Sequence, residues 1–101
     1  MEKRKAHYAL QAVKDRVTHL GADAFTMTAL RGVAAMGLSI AEGVEVVLGL
    51  SAAMLYKSMT TNADHRVWQD VYHAPCPNGK TAYVKLTLRE DGALVIQFKE
   101  R

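Results

Sequence analysis

The chain has 101 residues, of which half are hydrophobic and 23% are charged. This composition excludes a disordered chain and predicts one domain over residues 1–101 with a single hydrophobic core. The net charge of +3 is a mild basic bias, compatible with an anionic partner and equally with ordinary solubility.

Three helices are predicted in the first half of the chain, each with one apolar face. Their expected ranges are residues 6–20, 28–36 and 40–48. Thr28 is a candidate N-cap for the second helix, and Gly21 is placed to end the first in a left-handed conformation. The third helix is expected to begin after Ser39 and to bury one stripe, made of Ile40, Val44, Val47 and Leu48.

The second half of the chain is rich in β-branched and aromatic residues and predicts four strands. Their expected ranges are residues 54–60, 66–73, 81–89 and 93–99, and the earlier stretch DAFTM is a candidate for a further short strand. Because the connections are short, neighbouring strands should pair antiparallel. Helices followed by strands predict an α+β fold in which N-terminal helices pack on an antiparallel sheet.

The last two strands have a register that their apolar residues define. A two-residue turn would mix their apolar and polar faces, whereas a three-residue loop at residues 90–92, with its glycine left-handed, keeps the faces apart. This loop places Tyr83 opposite Lys99 and Lys85 opposite Gln97. The hairpin is therefore expected to have one core face and one polar, cationic face.

The first hairpin combines the stretches YKSMTT and WQDVY. A loop centred on Ala63 would place Lys57 opposite Gln69 and Leu55 opposite Val71. The aromatic residues on the other face look equally suited to a core. The inference from this hairpin is therefore that Lys57 and Gln69 share a face.

Polar side chains would form one surface if the polar faces of the two hairpins coincide. The surface would consist of Lys57, Gln69, Tyr83, Lys85 and Lys99. It offers cationic donors, an amide and a phenol with no carboxylate, a set that suits an anionic substrate such as a phosphate. The alternative is an ordinary solvated sheet face, which normally carries such residues, with lysines that guard the sheet edges against aggregation.

Six short motifs are spread along the chain: MEKR at the start, GLS at residues 49–51, YKSMTT, DH, WQDVY and the closing FKE. Together they resemble the MqsR family of bacterial toxins, the messenger-RNA interferases of type II toxin–antitoxin systems. The resemblance implies the α+β fold of RelE-like and YoeB-like ribonuclease toxins. It also implies cleavage of single-stranded mRNA at GC-containing triplets such as GCU, without a metal or other cofactor and without the ribosome.

Site residues follow from the same resemblance. The lysine, glutamine and tyrosine of the family's active site fall on Lys57, Gln69 and Tyr83. A C-terminal lysine contribution falls on Lys99, and Tyr56 adjoins the first lysine. The pattern of the sheet adds Lys85 to the substrate-binding candidates.

Metal-free RNA cleavage uses the 2′-hydroxyl as nucleophile and leaves 2′,3′-cyclic phosphate and 5′-hydroxyl ends. We expect Lys57, with its pKa lowered by neighbouring cations, to be the base or the main phosphate clamp, and Tyr83 to be acid or base. Lys99 would stabilise the phosphorane, and Gln69 would orient phosphate or ribose.

Arg66 is a further candidate for RNA binding, as are His65 and His73, although loop solvation and strand-end polarity explain these residues better. Single-stranded mRNA is the implied substrate. The N-terminal stretch MEKRKAHYAL does not resemble a signal peptide, and the one cysteine, Cys76, is typical of a reducing compartment. We therefore expect a cytoplasmic protein that has no membrane span and, since its histidines lack metal-binding spacing, no metal.

The implied protein partner is a cognate antitoxin of the MqsA type, with a zinc-binding module and a DNA-binding helix-turn-helix module. Pairing with a sheet edge is a candidate docking mode, and the toxin itself would not contact DNA. The main alternative is a non-catalytic RNA- or protein-binding module in a toxin–antitoxin repressor complex. Such a module should have lost Lys57, Gln69 or Tyr83, and all three are present. A phosphate-metabolite enzyme would need a glycine-rich phosphate loop, which the chain lacks.

Overall fold

Three helices precede four long strands along the chain, and a two-residue strand at the N terminus completes the sheet. The computed structural model describes residues 1–101. Its elements are β1 (Glu2–Lys3), α1 (Leu10–Leu20), α2 (Met27–Ala35), α3 (Ile40–Leu48), β2 (Leu55–Thr60), β3 (Trp68–Pro75), β4 (Thr81–Leu88) and β5 (Leu94–Glu100). The predicted α+β class and its three helices and four long strands are confirmed, whereas β1 was not predicted.

The helix α1 begins four residues later than predicted. The backbone N–H groups of His7 and Tyr8 donate hydrogen bonds to the carboxylate of Asp70 on β3, so this segment is tied to the sheet instead of turning into helix. At the other end, Gly21 has a φ of 57° and ends α1, as predicted.

The starts of α2 and α3 show how short side chains set helix boundaries. The N-cap of α2 is Thr26, not Thr28, because the Thr26 hydroxyl accepts a hydrogen bond of 3.0 Å from the backbone N–H of Ala29. The start of α3 after Ser39 is confirmed. Ser39 and Glu42 there form a reciprocal capping box, with bonds of 3.1 and 2.8 Å.

The buried face of α3 differs from the predicted stripe. Ile40 is half exposed, whereas Gly43, Val46 and Val47 face the core. A Cβ on Gly43 would lie 2.9 Å from a methyl carbon of Val33 on α2. The glycine thus lets two helices approach closely, and the first residue of the expected stripe, Ile40, lies outside the buried face.

The five strands lie in the order β1-β2-β3-β4-β5, and every neighbouring pair is antiparallel, as predicted for the four long strands. The predicted register of β4 and β5 is confirmed, with Tyr83 opposite Lys99 and Lys85 opposite Gln97. Gly92 in the connecting loop has a φ of 86°. The candidate strand in DAFTM is reduced to one isolated bridge between Phe25 and Ile96.

The predicted register of β2 and β3 is wrong by two residues. Lys57 lies opposite Val71, and Gln69 lies opposite Met59. The reason is that the loop is centred on Asp64, whose backbone N–H donates to the Thr61 hydroxyl at 2.9 Å. Because side chains alternate with a period of two, a two-residue shift leaves Lys57 and Gln69 on one face, whereas the bulge between Leu55 and Lys57 moves Leu55 to the face of Tyr72.

All three helices contribute buried residues to a core on one face of the sheet. That face carries the even-numbered residues of β3, β4 and β5, including Tyr72, Val84, Ile96 and Phe98, which are buried in the core. Tyr72 is therefore a core residue. The odd-numbered residues point away from the helices, so the predicted polar side chains lie on the open side of the sheet. None of the helices has both the length and the apolar character that a membrane crossing needs.

Candidate active site

The polar face of the sheet presents side chains in rows that run across the strands. One row is Lys57, Val71, Lys85 and Gln97, and the next is His73, Tyr83 and Lys99. Gln69 lies two residues before Val71 on the same face of β3. The pairing of β3 with β4 thus joins the two hairpin faces, and five predicted site residues share one surface.

Lys57 lies at the β2 end of the first row and is paired with a carboxylate. Its ammonium donates a hydrogen bond of 2.7 Å to the Oε1 atom of Glu2 on β1. This hydrogen bond raises the pKa of Lys57 above its ordinary value, outweighing the opposite effect of burial. The expectation of a lowered pKa is therefore wrong, since it left out the carboxylate. A lysine held in its charged form is suited to clamp a phosphate rather than to act as a base.

Glu2 also overturns the expectation of a surface without carboxylates. The N-terminal segment that carries it is fixed at several points. The Met1 ammonium donates to the Thr60 hydroxyl at 3.2 Å, the Lys3 ammonium lies 4.1 Å from the centre of the Trp68 ring, and the His7 ring stacks on Trp68. The hydrogen bond to Lys57 reciprocally lowers the pKa of Glu2, which therefore faces Lys57 as an anion at neutral pH.

Tyr83 and two lysines form the other end of the surface. The Lys99 ammonium lies 5.0 Å from the centre of the Tyr83 ring, within cation–π range. A cleft of about 110 Å³ lies between Tyr83, Lys85 and Lys99. Burial and the charge of Lys99 lower the pKa of Lys85. Two cations and a phenol around a small cleft can hold an anionic group and exchange a proton with it.

Tyr56 and His73 form an aromatic pair beside Tyr83. Tyr56 occupies a β-bulge of β2 and is 43% exposed, and its ring stacks on the His73 ring at 4.4 Å. The bulge shifts the register between Leu55 and Lys57. An exposed tyrosine backed by a second ring is a platform on which a nucleobase can stack.

Gln69 lies on this surface, whereas Arg66 lies outside it. Gln69 is half buried on the polar face, and its side-chain amide makes no hydrogen bond within the chain. Arg66 lies in the loop between β2 and β3, with 91% of its side chain exposed, and its guanidinium is paired with Asp64 at 3.1 Å. The structure therefore places Arg66 off the strands that carry the other site residues.

A larger cleft, of about 460 Å³, lies away from this surface. It is formed by α3 and the end of β3, with Val46, Met54, Ala74 and Pro75 among its lining residues. Its charged side chains are the carboxylates of Glu42 and Glu45, which would repel a phosphate. No group of three or more histidine, cysteine or acidic side chains is placed to hold a metal ion.

Comparisons with known proteins show the family of the chain. Residues 5–100 match the model of the family described as motility quorum-sensing regulator, toxin of MqsA. The chain belongs to this family. It is also 40% identical over 101 residues to the mRNA interferase toxin MqsR of Escherichia coli strain K12, and the match covers the whole of both chains. The resemblance inferred from the sequence motifs is thereby confirmed for this MqsR family member.

Proposed function

We propose that this MqsR family member is an endoribonuclease toxin that cleaves single-stranded mRNA on the polar face of its sheet. The observation that carries the proposal is the gathering of Lys57, Gln69, Tyr83, Lys85 and Lys99 on one sheet face. This set supplies positive charge and neutral donors for a phosphodiester. The naming of its 40% identical relative as an mRNA interferase supports the same activity.

The proposal extends to the finer properties that the resemblance implies. Residues 1–101 act as one toxin domain with a RelE-like fold, in the cytoplasm. The enzyme cuts at GC-containing triplets such as GCU, independently of metal ions and of the ribosome. The chemistry needs neither, because the 2′-hydroxyl of the substrate is the nucleophile and the cations of the sheet neutralise the phosphate.

Cleavage is one displacement at phosphorus, in which the 2′-oxygen replaces the 5′-oxygen. The 2′-oxygen attacks the adjacent phosphorus while it loses its proton, the bond from phosphorus to the 5′-oxygen breaks, and the 5′-oxygen gains a proton. Lys57 clamps the phosphate, and Lys99 stabilises the phosphorane. Tyr83 protonates the leaving oxygen through its phenol hydroxyl. Gln69 orients phosphate or ribose through its free amide.

The test is to incubate the purified protein in EDTA with a defined single-stranded RNA that contains GCU and GCA, and to map the ends. We expect cuts at these triplets with 2′,3′-cyclic phosphate and 5′-hydroxyl ends. Tyr83→Phe should slow the cleavage by about 10²-fold, because it removes the acid. Tyr72→Phe is the matched control, since its phenol is buried on the core face, and it should cleave at the wild-type rate. Absence of cleavage by the folded wild type would favour a non-catalytic binding module.

Glu2 should act as a competitor of RNA for Lys57. Because the Glu2 carboxylate occupies Lys57 at 2.7 Å, a phosphate must displace it to be clamped. Glu2→Gln should therefore tighten binding of an RNA with a 2′-deoxy cleavage site by roughly two- to fivefold at low salt, a range set by the weakness of exposed ion pairs. Glu45→Gln, which makes the same change on α3, should leave the dissociation constant unchanged. Equal affinity of Glu2→Gln and the wild type would contradict the competition.

The proposed antitoxin is a zinc-binding helix-turn-helix protein of the MqsA type that pairs with a sheet edge. The β5 edge is covered by α2, where a Cβ on Gly32 would lie 1.8 Å from the carbonyl oxygen of Phe98. On the other side, the two-residue strand β1 pairs only with Ser58 and Met59 of β2. The open edge is therefore the start of β2. Amide hydrogen exchange of residues 55–57 should slow when the antitoxin binds, and unchanged exchange there would place the antitoxin elsewhere.

A further inference from the structure

We propose that His73 is a catalytic residue of this surface, the general base that takes the proton from the 2′-hydroxyl. The inference rests on the proposed RNA cleavage and assigns a step that the residues implied by the family resemblance leave open. His73 lies on the polar face of β3, directly opposite Tyr83 on β4. Its ring stacks on Tyr56 at 4.4 Å and lies 6.0 Å from the Tyr83 ring.

The other groups on the surface are poorly suited to accept a proton. Lys57 is held in its charged form by Glu2, and the same ion pair occupies the Glu2 carboxylate. Lys85 has a lowered pKa, yet a lysine starts about four pKa units above a histidine. Among the side chains of this surface, an imidazole is the one whose ordinary pKa lies near neutral pH.

The charges around His73 favour its neutral, proton-accepting form. Tyr56 faces it from β2 and Tyr83 from β4, and both are uncharged in their phenol forms. Burial and then the charge of Arg101 at the C terminus lower the pKa of His73. The carboxylate on this face, Glu2, is already paired with Lys57 and so does not stabilise an imidazolium. His73 is consequently neutral at pH 7, and neither ring nitrogen has a hydrogen-bond partner within the chain.

The position of His73 gives a complete proton path. The imidazole takes the 2′-hydroxyl proton as the 2′-oxygen bonds to phosphorus, and the Tyr83 phenol gives its proton to the 5′-oxygen as that bond breaks. The imidazolium then returns a proton to the phenolate across the strand pair, directly or through water, which restores both groups. Base and acid thus occupy neighbouring positions on β3 and β4, next to the row of cations that contains Lys57 and Lys85.

The first test is the pH dependence of kcat/KM for a GCU-containing RNA. A base must be deprotonated, so the wild-type value should fall as the pH drops through the pKa of His73, below the ordinary histidine value of about 6.5. His73→Gln should lower kcat/KM at pH 7 by about 10²-fold and remove this acid limb. His19→Gln, at the exposed end of α1, is the matched control and should retain the full profile.

A second test separates catalysis from base stacking. Added imidazole should raise the cleavage rate of His73→Ala at least tenfold. The affinity of this variant for an RNA with a 2′-deoxy cleavage site should stay within about twofold of the wild type. The assignment would be overturned if His73→Ala lost activity that imidazole does not restore. It would also be overturned if His73→Gln kept the acid limb of the pH profile or kept the wild-type kcat/KM. If the variants do not fold, a wild-type profile without an acid limb below pH 6.5 overturns it. Failure of the wild type to cut RNA at all would refute the proposed function instead.

Discussion

Lys57→Met should slow RNA cleavage by about 10³-fold at neutral pH, the largest effect on activity that we expect from a single residue of the surface. Methionine keeps much of the aliphatic stem, which lies beside the buried Val71, but it removes the charge that we propose as the phosphate clamp. Loss of one electrostatic donor to a developing anion typically costs 10²–10³-fold, and a full positive charge belongs at the upper end of that range. Single-turnover cleavage of a GCU-containing RNA measures the effect.

The matched control for this variant is Lys14→Met on α1. It makes the same change in net charge, but α1 packs on the opposite face of the sheet, so cleavage should stay within about twofold of the wild type. A similar loss in both variants would mean that overall charge, and not a clamp at Lys57, drives the reaction. Cleavage by Lys57→Met at the wild-type rate would contradict the clamp directly.

The parts of the fold that local patterns decide were predictable from the sequence. The β4–β5 register follows from alternating apolar residues and from a left-handed Gly92, all within 20 residues of chain. The β2–β3 register was missed because hydrogen bonds within the loop, from the backbone of Asp64 to Thr61, decide it. The error was an even number of residues, so the assignment of Lys57 and Gln69 to one face is confirmed.

The parts of the fold and of the candidate site that depend on contacts distant in sequence were not predictable from local patterns. The N-terminal segment shows no strand pattern, yet it is fixed to the sheet by partners about 60 residues away in sequence, Asp70 among them. That attachment brings Glu2 to Lys57 and reverses the expected direction of the lysine's pKa shift. The contacts of His73 with Tyr56 and Tyr83 were not predictable for a similar reason, because they depend on the pairing of three strands and on a bulge.

Asp70→Ala should lower the free energy of unfolding by about 3 kcal/mol, the largest effect on stability that we expect. Asp70 is 1% exposed and lies on the core side of the sheet. Its carboxylate accepts hydrogen bonds from the backbone N–H groups of His7 and Tyr8, at 3.0 and 2.9 Å, and from the Ser58 hydroxyl at 2.6 Å. Removing it leaves three donors unpaired, each at a cost of about 1 kcal/mol or more.

The region in which amide exchange accelerates distinguishes a local effect of Asp70→Ala from a general destabilisation. The hydrogen bonds to Asp70 hold the segment that precedes α1, so amide exchange at His7 and Tyr8 should accelerate before the rest of the sheet opens. Urea unfolding gives the free energy, with Asp15→Ala on the exposed face of α1 as the matched control, expected within about 0.5 kcal/mol of the wild type. A loss of less than about 1 kcal/mol in Asp70→Ala would show that water replaces the carboxylate. The attachment of the N-terminal segment, and with it the position of Glu2 beside Lys57, would then depend on the β1–β2 pairing and the contacts with Trp68 instead.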